Sequence, residues 1–181
     1  MSQNPTPSRA ARKNVRNLVL SLLVTCAFSG AMWLLFIPRD DGADPVRQVT
    51  YTQEATQVAR IAPYTVLAPP VDAPTGVRAT SVRYTEDAAY GPRWHVGFVT
   101  AAEHYVAVEQ AAKDTDAFVR KVTFGARATD TVEHIGGADW VRYEGPKYDA
   151  LVKHDAKGVT VVTGTAPAAQ LKAMAAALRP A

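Results

Sequence analysis

Four histidines, His95, His104, His134 and His154, are the side chains best suited to ligate a metal or carry a proton. No two stand at i, i+2 or i, i+4, the spacings at which a strand or a helical turn brings two rings onto one ion. A hairpin of Trp94 to Thr100 with His104 to Gln110 sets His104 against about Val99 and leaves His95 several residues along the strand. The rings do not converge there, and no metal is assigned. His134 and Asp139 bracket Gly136-Gly137 and should face each other across that turn. Such a dyad can move a proton, but at a hairpin tip it reads first as a surface ion pair.

Nucleophiles are scarce. Beyond residue 37 the chain has one serine, Ser81, and no cysteine. With neither Gly-x-Ser-x-Gly nor Ser-x-x-Lys, serine chemistry finds no support, and no catalytic residue is assigned. Phosphate loops, dinucleotide fingerprints and calcium loops are missing, so no cofactor is expected. Glycoside hydrolysis would need two facing carboxyl groups. Of the acids available, Asp114 and Asp116 open a helix, where capping and the helix dipole account for them, and Asp130 has no evident mate. Glu109 shares a strand face with Tyr105 and Ala107, with Arg142 as its expected ion-pair partner. Trp94, Tyr105, Trp140 and Tyr143 fall on strands, where aromatics build a core or line a pocket for a lipid, glycan or peptide. The candidate ligand or partner surface is therefore Trp94, Tyr105, Glu109, Trp140, Arg142 and Tyr143.

These residues are positioned by elements that alternate with period two. Strands are expected at Val77 to Tyr84, Trp94 to Thr100, His104 to Gln110, Thr131 to Ile135, Asp139 to Tyr143, Tyr148 to His154 and Val159 to Thr163. Gly136-Gly137 and Asp155-Ala156-Lys157-Gly158 supply hairpin turns. Helices are expected at Val46 to Ile61, at Asp114 to Val122 with Phe118, Val119 and Val122 as the apolar side, and at Thr165 to Leu178 with Thr165 as N-cap. Pro63, Pro69, Pro70 and Pro74 forbid a helix over 62–76. Hairpins joined by single helices make an α+β fold: an antiparallel sheet of about seven strands with helices on one face.

Leu18 to Ile37 is a charge-free run of twenty residues, about 30 Å as a helix, the thickness of a bilayer's hydrocarbon core. Arg9, Arg12, Lys13 and Arg16 precede it with no acidic residue, which predicts a cytoplasmic N-terminus by the positive-inside bias. Asp41-Gly42-Ala43 is a poor signal-cleavage site. A lipidated Cys26 would leave Ala27 to Ile37 without a purpose. The run is thus read as a retained single-pass anchor, with Cys26 a small apolar residue within it. With the four N-terminal cations set aside, 16 of the 20 Lys and Arg remain against all 17 Asp and Glu. That balance gives no electrostatic footprint for nucleic acid. The expected organisation is a cytoplasmic tail at 1–17, a transmembrane helix at 18–37, a linker with a short helix at 38–62 and an extracytoplasmic domain at 63–181. A tail this short cannot bury a core, so any activity is expected outside.

Trp94-x-x-Gly97-Phe98-Val99-Thr100, Tyr105-Val106-x-Val108-Glu109-Gln110, Phe118-Val119, Gly137-x-x-Trp140-x-x-Tyr143 and Gly158 to Ala166 carry a resemblance. With the basic N-terminus, one anchor and proline-rich lead-in, they make nearly the whole chain resemble an uncharacterised family of actinobacterial single-pass membrane proteins, the DUF4245 family. One departure is Gly76-Val77-Arg78, where that family favours an aromatic after the glycine. The resemblance implies fold and location and supplies no catalytic residues. A looser likeness, at the level of fold alone, is to extracytoplasmic domains of lipoprotein-carrier and sigma-factor-regulator type; the tail is too short to hold a sigma factor. Two functions are expected to compete. One is a non-enzymatic envelope module that binds or scaffolds a protein, lipid or cell-wall partner. The other is a cell-envelope enzyme using carboxylate or histidine acid–base chemistry.

Overall fold

The computed structural model describes residues 18–26, 28–29, 50–71, 76–86, 89–113 and 115–181. The chain divides into two compact units, 1–44 and 45–181. In the first, residues 18–26 and 28–29 are helical. The expected cytoplasmic tail, the outer part of the expected anchor and the polar linker lie outside the described residues. Among the described residues no helix is long and apolar enough to cross a membrane.

The second unit runs α1 (Thr52–Ala59), β1 (Leu67–Ala68), β2 (Val77–Thr85), β3 (Arg93–Thr100), β4 (Tyr105–Ala111), α2 (Thr115–Val122), β5 (Arg127–Ile135), β6 (Ala138–Glu144), β7 (Asp149–Asp155), β8 (Gly158–Gly164), α3 (Ala168–Ala177) and β9 (Arg179–Pro180). Seven strands form one sheet in the order β2-β3-β4-β8-β7-β6-β5, and β1 pairs with β9 in a separate ribbon. Every pairing is antiparallel. The order follows from two meanders, β2-β3-β4 and β5 to β8, zipped together along β4 and β8. Helix α2 carries the chain from mid-sheet to its far edge. The zipper needs glycine at both ends of β8: a Cβ on Gly158 would collide with the Ala111 carbonyl, and one on Gly164 with the Tyr105 carbonyl.

Alternation gives the sheet two distinct faces. Trp94, Val96 and Phe98 of β3, Val106 and Val108 of β4, Leu151 and Val162 form a buried layer. Tyr51, Ala55 and Val58 from α1 and Leu171, Met174 and Ala175 from α3 complete that core. Tyr51 packs edge-on against Phe98 with ring centroids 5.5 Å apart. The proline-rich lead-in has few backbone donors of its own and is tied down by the buried side chain of Gln110. Its Oε1 accepts Leu67 N–H (2.8 Å), and its Nε2 donates to Thr65 O (3.0 Å) and Thr160 Oγ1 (3.1 Å).

The structure corrects the expectation of helices on one face. α1 and α3 share a face, but Phe118 and Val119 of α2 pack on the other, against Val152, Val159 and Val161. The first face is already filled, and the apolar side of α2 closes over the valines left bare behind it. α1, expected as a short helix beside the linker, is part of the core, since Ala55 is 2% exposed. Thr165 does not cap α3. Its Oγ1 accepts Tyr105 N–H at 2.9 Å, and Pro167 takes the N-cap position. The ribbon of β1 with β9 is too short to leave a pattern in the sequence.

Candidate functional site

Helix α2 covers its face of the sheet over β7, β8 and the end of β4 at Ala111. Towards β2 that face stays open, and it presents polar side chains in register. His95 lies directly opposite Arg83 on β2 and Glu109 on β4. One pair along, Ser81 lies opposite Gly97, and Gly97 opposite Ala107. A bulge between Ala79 and Ser81 sets this register, and bulges commonly re-aim a side chain.

The side chains form a chain of hydrogen bonds. His95 Nδ1 is 2.7 Å from Glu109 Oε1, and His95 Nε2 is 2.9 Å from Ser81 Oγ. With Glu109 ionised, Nδ1 must carry the proton it shares. Nε2 of a neutral ring is then left to accept the Ser81 hydroxyl. The His95 and Glu109 side chains are 22% and 15% exposed, so solutes can still reach them. Gly97 makes room for the Ser81 and Tyr105 side chains, since a Cβ there would collide with Ser81 Oγ and come within 3.0 Å of Tyr105 Oη. The Tyr105 phenol is pushed well above its ordinary value, first by burial and then by Glu109 and Tyr148, and so stays protonated.

A hollow of about 450 Å³ opens over His95 and Glu109, with Ser81 behind His95 Nε2 and outside the lining, and Arg83, Arg93, Tyr105, Lys121, Phe124 and Tyr148 are among the residues that line it. Arg93 Nε is buried with no hydrogen-bond partner, an orphaned donor at a concave surface. Phe124 is 53% exposed, stacks edge-on with Tyr148 at 4.9 Å and lies 3.7 Å from Lys147 Nζ. It holds φ +54° just after α2, a conformation costing a bulky residue roughly 1 kcal/mol or more. That conformation closes α2, with Phe124 N–H donating to Lys121 O (3.3 Å) and Gly125 N–H to Arg120 O (2.8 Å), and it leaves the ring exposed.

The six residues singled out from sequence are divided by the fold. Trp94 and Trp140, 0% and 3% exposed, lie on the helix-covered face. There their indole N–H groups donate to Leu67 O (3.2 Å) and Ile135 O (3.3 Å). Arg142 does not pair with Glu109. It holds Glu144 at 3.0 Å and shares the covered face through its pairing with Leu151. Tyr143 packs beside the α2 cluster. Tyr105 and Glu109 alone meet in the hollow. His134 and Asp139 do face each other at 2.8 Å, but at 72% and 75% exposure on a hairpin tip. Among the described residues no three His, Cys, Asp or Glu side chains could hold a metal. The sequence singles out Ser81 and His95 without bringing them together, and nothing in it marks Arg93 or Lys121. Correct pairing of β3 with β4 would have set His95 against Glu109.

An α+β domain with a seven-stranded antiparallel sheet and a polar hollow on its open half is the class of protein that the fold and site define. The chain belongs to the family described as protein of unknown function (DUF4245), whose model matches residues 11–178. No curated protein and no solved structure matches it.

Proposed function

We propose that this is a single-pass protein of the cell envelope whose exported domain binds a small anionic, partly apolar ligand in the hollow over β2–β4. Residues 1–17 remain cytoplasmic in this reading and 18–37 form the anchor. The observation that carries the binding function is the lining. Arg83, Arg93 and Lys121 outnumber the one carboxylate, Glu109, and Phe124 and Tyr148 add aromatic lining. Guanidinium groups suit phosphate or carboxylate oxygens, and the exposed Phe124 ring offers a face to an acyl chain or ring. Acid–base chemistry is the second reading, favoured by the His95–Glu109 contact of 2.7 Å. Gentle extraction of the full-length protein from its own membranes, followed by native mass spectrometry, tests the first. It predicts a persistent added mass in the range of a lipid or glycan conjugate. A bare mass from protein extracted without delipidation counts against it.

A further inference from the structure

We propose that Ser81 is a nucleophile for acyl transfer, with His95 as its general base and Glu109 as the group that orients His95. The proposal rests on the binding reading above and deepens it, by naming the ligand as an acyl ester that carries an anionic group. It stands first on geometry. Ser81 Oγ, His95 Nε2, His95 Nδ1 and Glu109 Oε1 are joined in series at 2.9 Å and 2.7 Å. That is the order and separation in which a hydroxyl, an imidazole and a carboxylate work as one unit on unrelated folds. Secondly, the chain has one serine beyond residue 37, and a bulge turns it onto the face that carries His95. Thirdly, Ser81 Oγ and Tyr105 Oη converge over Gly97, where the place of a Cβ is taken by the two oxygens. Tyr105 O–H is a donor on that side for a developing oxyanion.

The step balances without a co-reactant other than water. Ser81 Oγ bonds the ester carbonyl carbon while its proton passes to His95 Nε2. The carbonyl π pair moves to oxygen and accepts a hydrogen bond from Tyr105. The ester C–O bond then breaks, and the departing alkoxide takes the proton from Nε2. Water repeats the sequence on the acyl-serine, releasing the acid and restoring the hydroxyl. Glu109 holds its charge throughout and stabilises the transient imidazolium.

The test uses the full-length protein in detergent with a fluorophosphonate probe, read by intact mass and peptide mapping. A single adduct on Ser81 is expected. Ser81→Ala should abolish it, and Glu109→Gln, which keeps a partner for the ring but reverses its tautomer, should slow it on the order of 10³-fold or more. Unfolding midpoints of both variants, matched to wild type, exclude misfolding as the cause. An unlabelled wild-type protein, or equal labelling of wild type and Glu109→Gln, overturns the proposal and leaves Ser81 a strut between β2 and β3. The native mass readout is separate. An added mass on an unlabelled protein supports binding while sinking the nucleophile, whereas labelling of a protein that extracts bare supports the nucleophile while sinking the resident ligand.

Discussion

His95 and Glu109 face each other across the β3–β4 ladder with Nδ1 and Oε1 2.7 Å apart, on the half of the sheet that α2 leaves open. The other face of the same two strands is filled by Trp94, Val96, Phe98, Val106 and Val108. One hairpin therefore supplies the core with one set of side chains and the hollow with the other. Changes on the two sets should have separable effects.

Trp94→Ala should destabilise the domain by about 3–5 kcal/mol, the range for removing a fully buried large aromatic. Arg142→Ala should change stability by less than about 1 kcal/mol, because its partner Glu144 is largely exposed. Urea unfolding followed by circular dichroism distinguishes them. A large loss from Arg142→Ala would contradict the reading of the Arg142–Glu144 pair as one screened by solvent.

Phe124→Gly should leave stability within about 1 kcal/mol of wild type. Relief of the left-handed conformation offsets the lost contacts with Tyr148 and Lys147. Ligand occupancy should nonetheless fall. Destabilisation by several kcal/mol with occupancy intact would make Phe124 an ordinary packing residue.

Tyr64 and Tyr105 hold their protons above the ordinary tyrosine value of 10.0, each chiefly through burial. The sign of the effect on stability follows from linkage. Below about pH 10 both folded and unfolded chains are protonated and the contribution is complete; above it the unfolded chain ionises first. Stability should therefore fall as pH rises through about 10 towards the higher folded values. Phenolate absorbance recorded alongside unfolding checks this, and a Tyr64→Phe, Tyr105→Phe double variant should lose less at high pH. An identical alkaline loss in wild type and variant would argue against it.

The sheet was legible because Trp94, Val96 and Phe98 alternate cleanly and because Gly136-Gly137 marks its turn. The start of β5 was not. It is an edge strand with a bulge between Ala128 and Val132, and its exposed residues carry no period. The side on which α2 packs was also hidden, since an amphipathic helix shows which of its own sides is apolar but not which sheet face will meet it. The site was lost to one residue of register. Placing His104 against Val99, where Tyr105 belongs, sets His95 opposite Val108 in place of Glu109. A slip of one moves every side chain to the wrong face. Ser81 depended on the bulge as well, which no local signal announces.

Protease added outside intact cells should digest residues 45–181 while sparing a cytoplasmic marker, and deletion of Leu18 to Ile37 should release the protein from the membrane fraction. Protection of the domain in intact cells, or retention of the deleted form, would contradict the proposed topology.

The central claim is that the hollow over β2–β4 holds an anionic ligand. It is met most directly by native mass spectrometry of wild type beside an Arg83→Glu, Lys121→Glu double variant, extracted in parallel. Both residues line the hollow and are exposed, so the variant should fold, and it should lose the added mass that the wild type keeps. The same added mass on both proteins would place the ligand elsewhere and contradict the account.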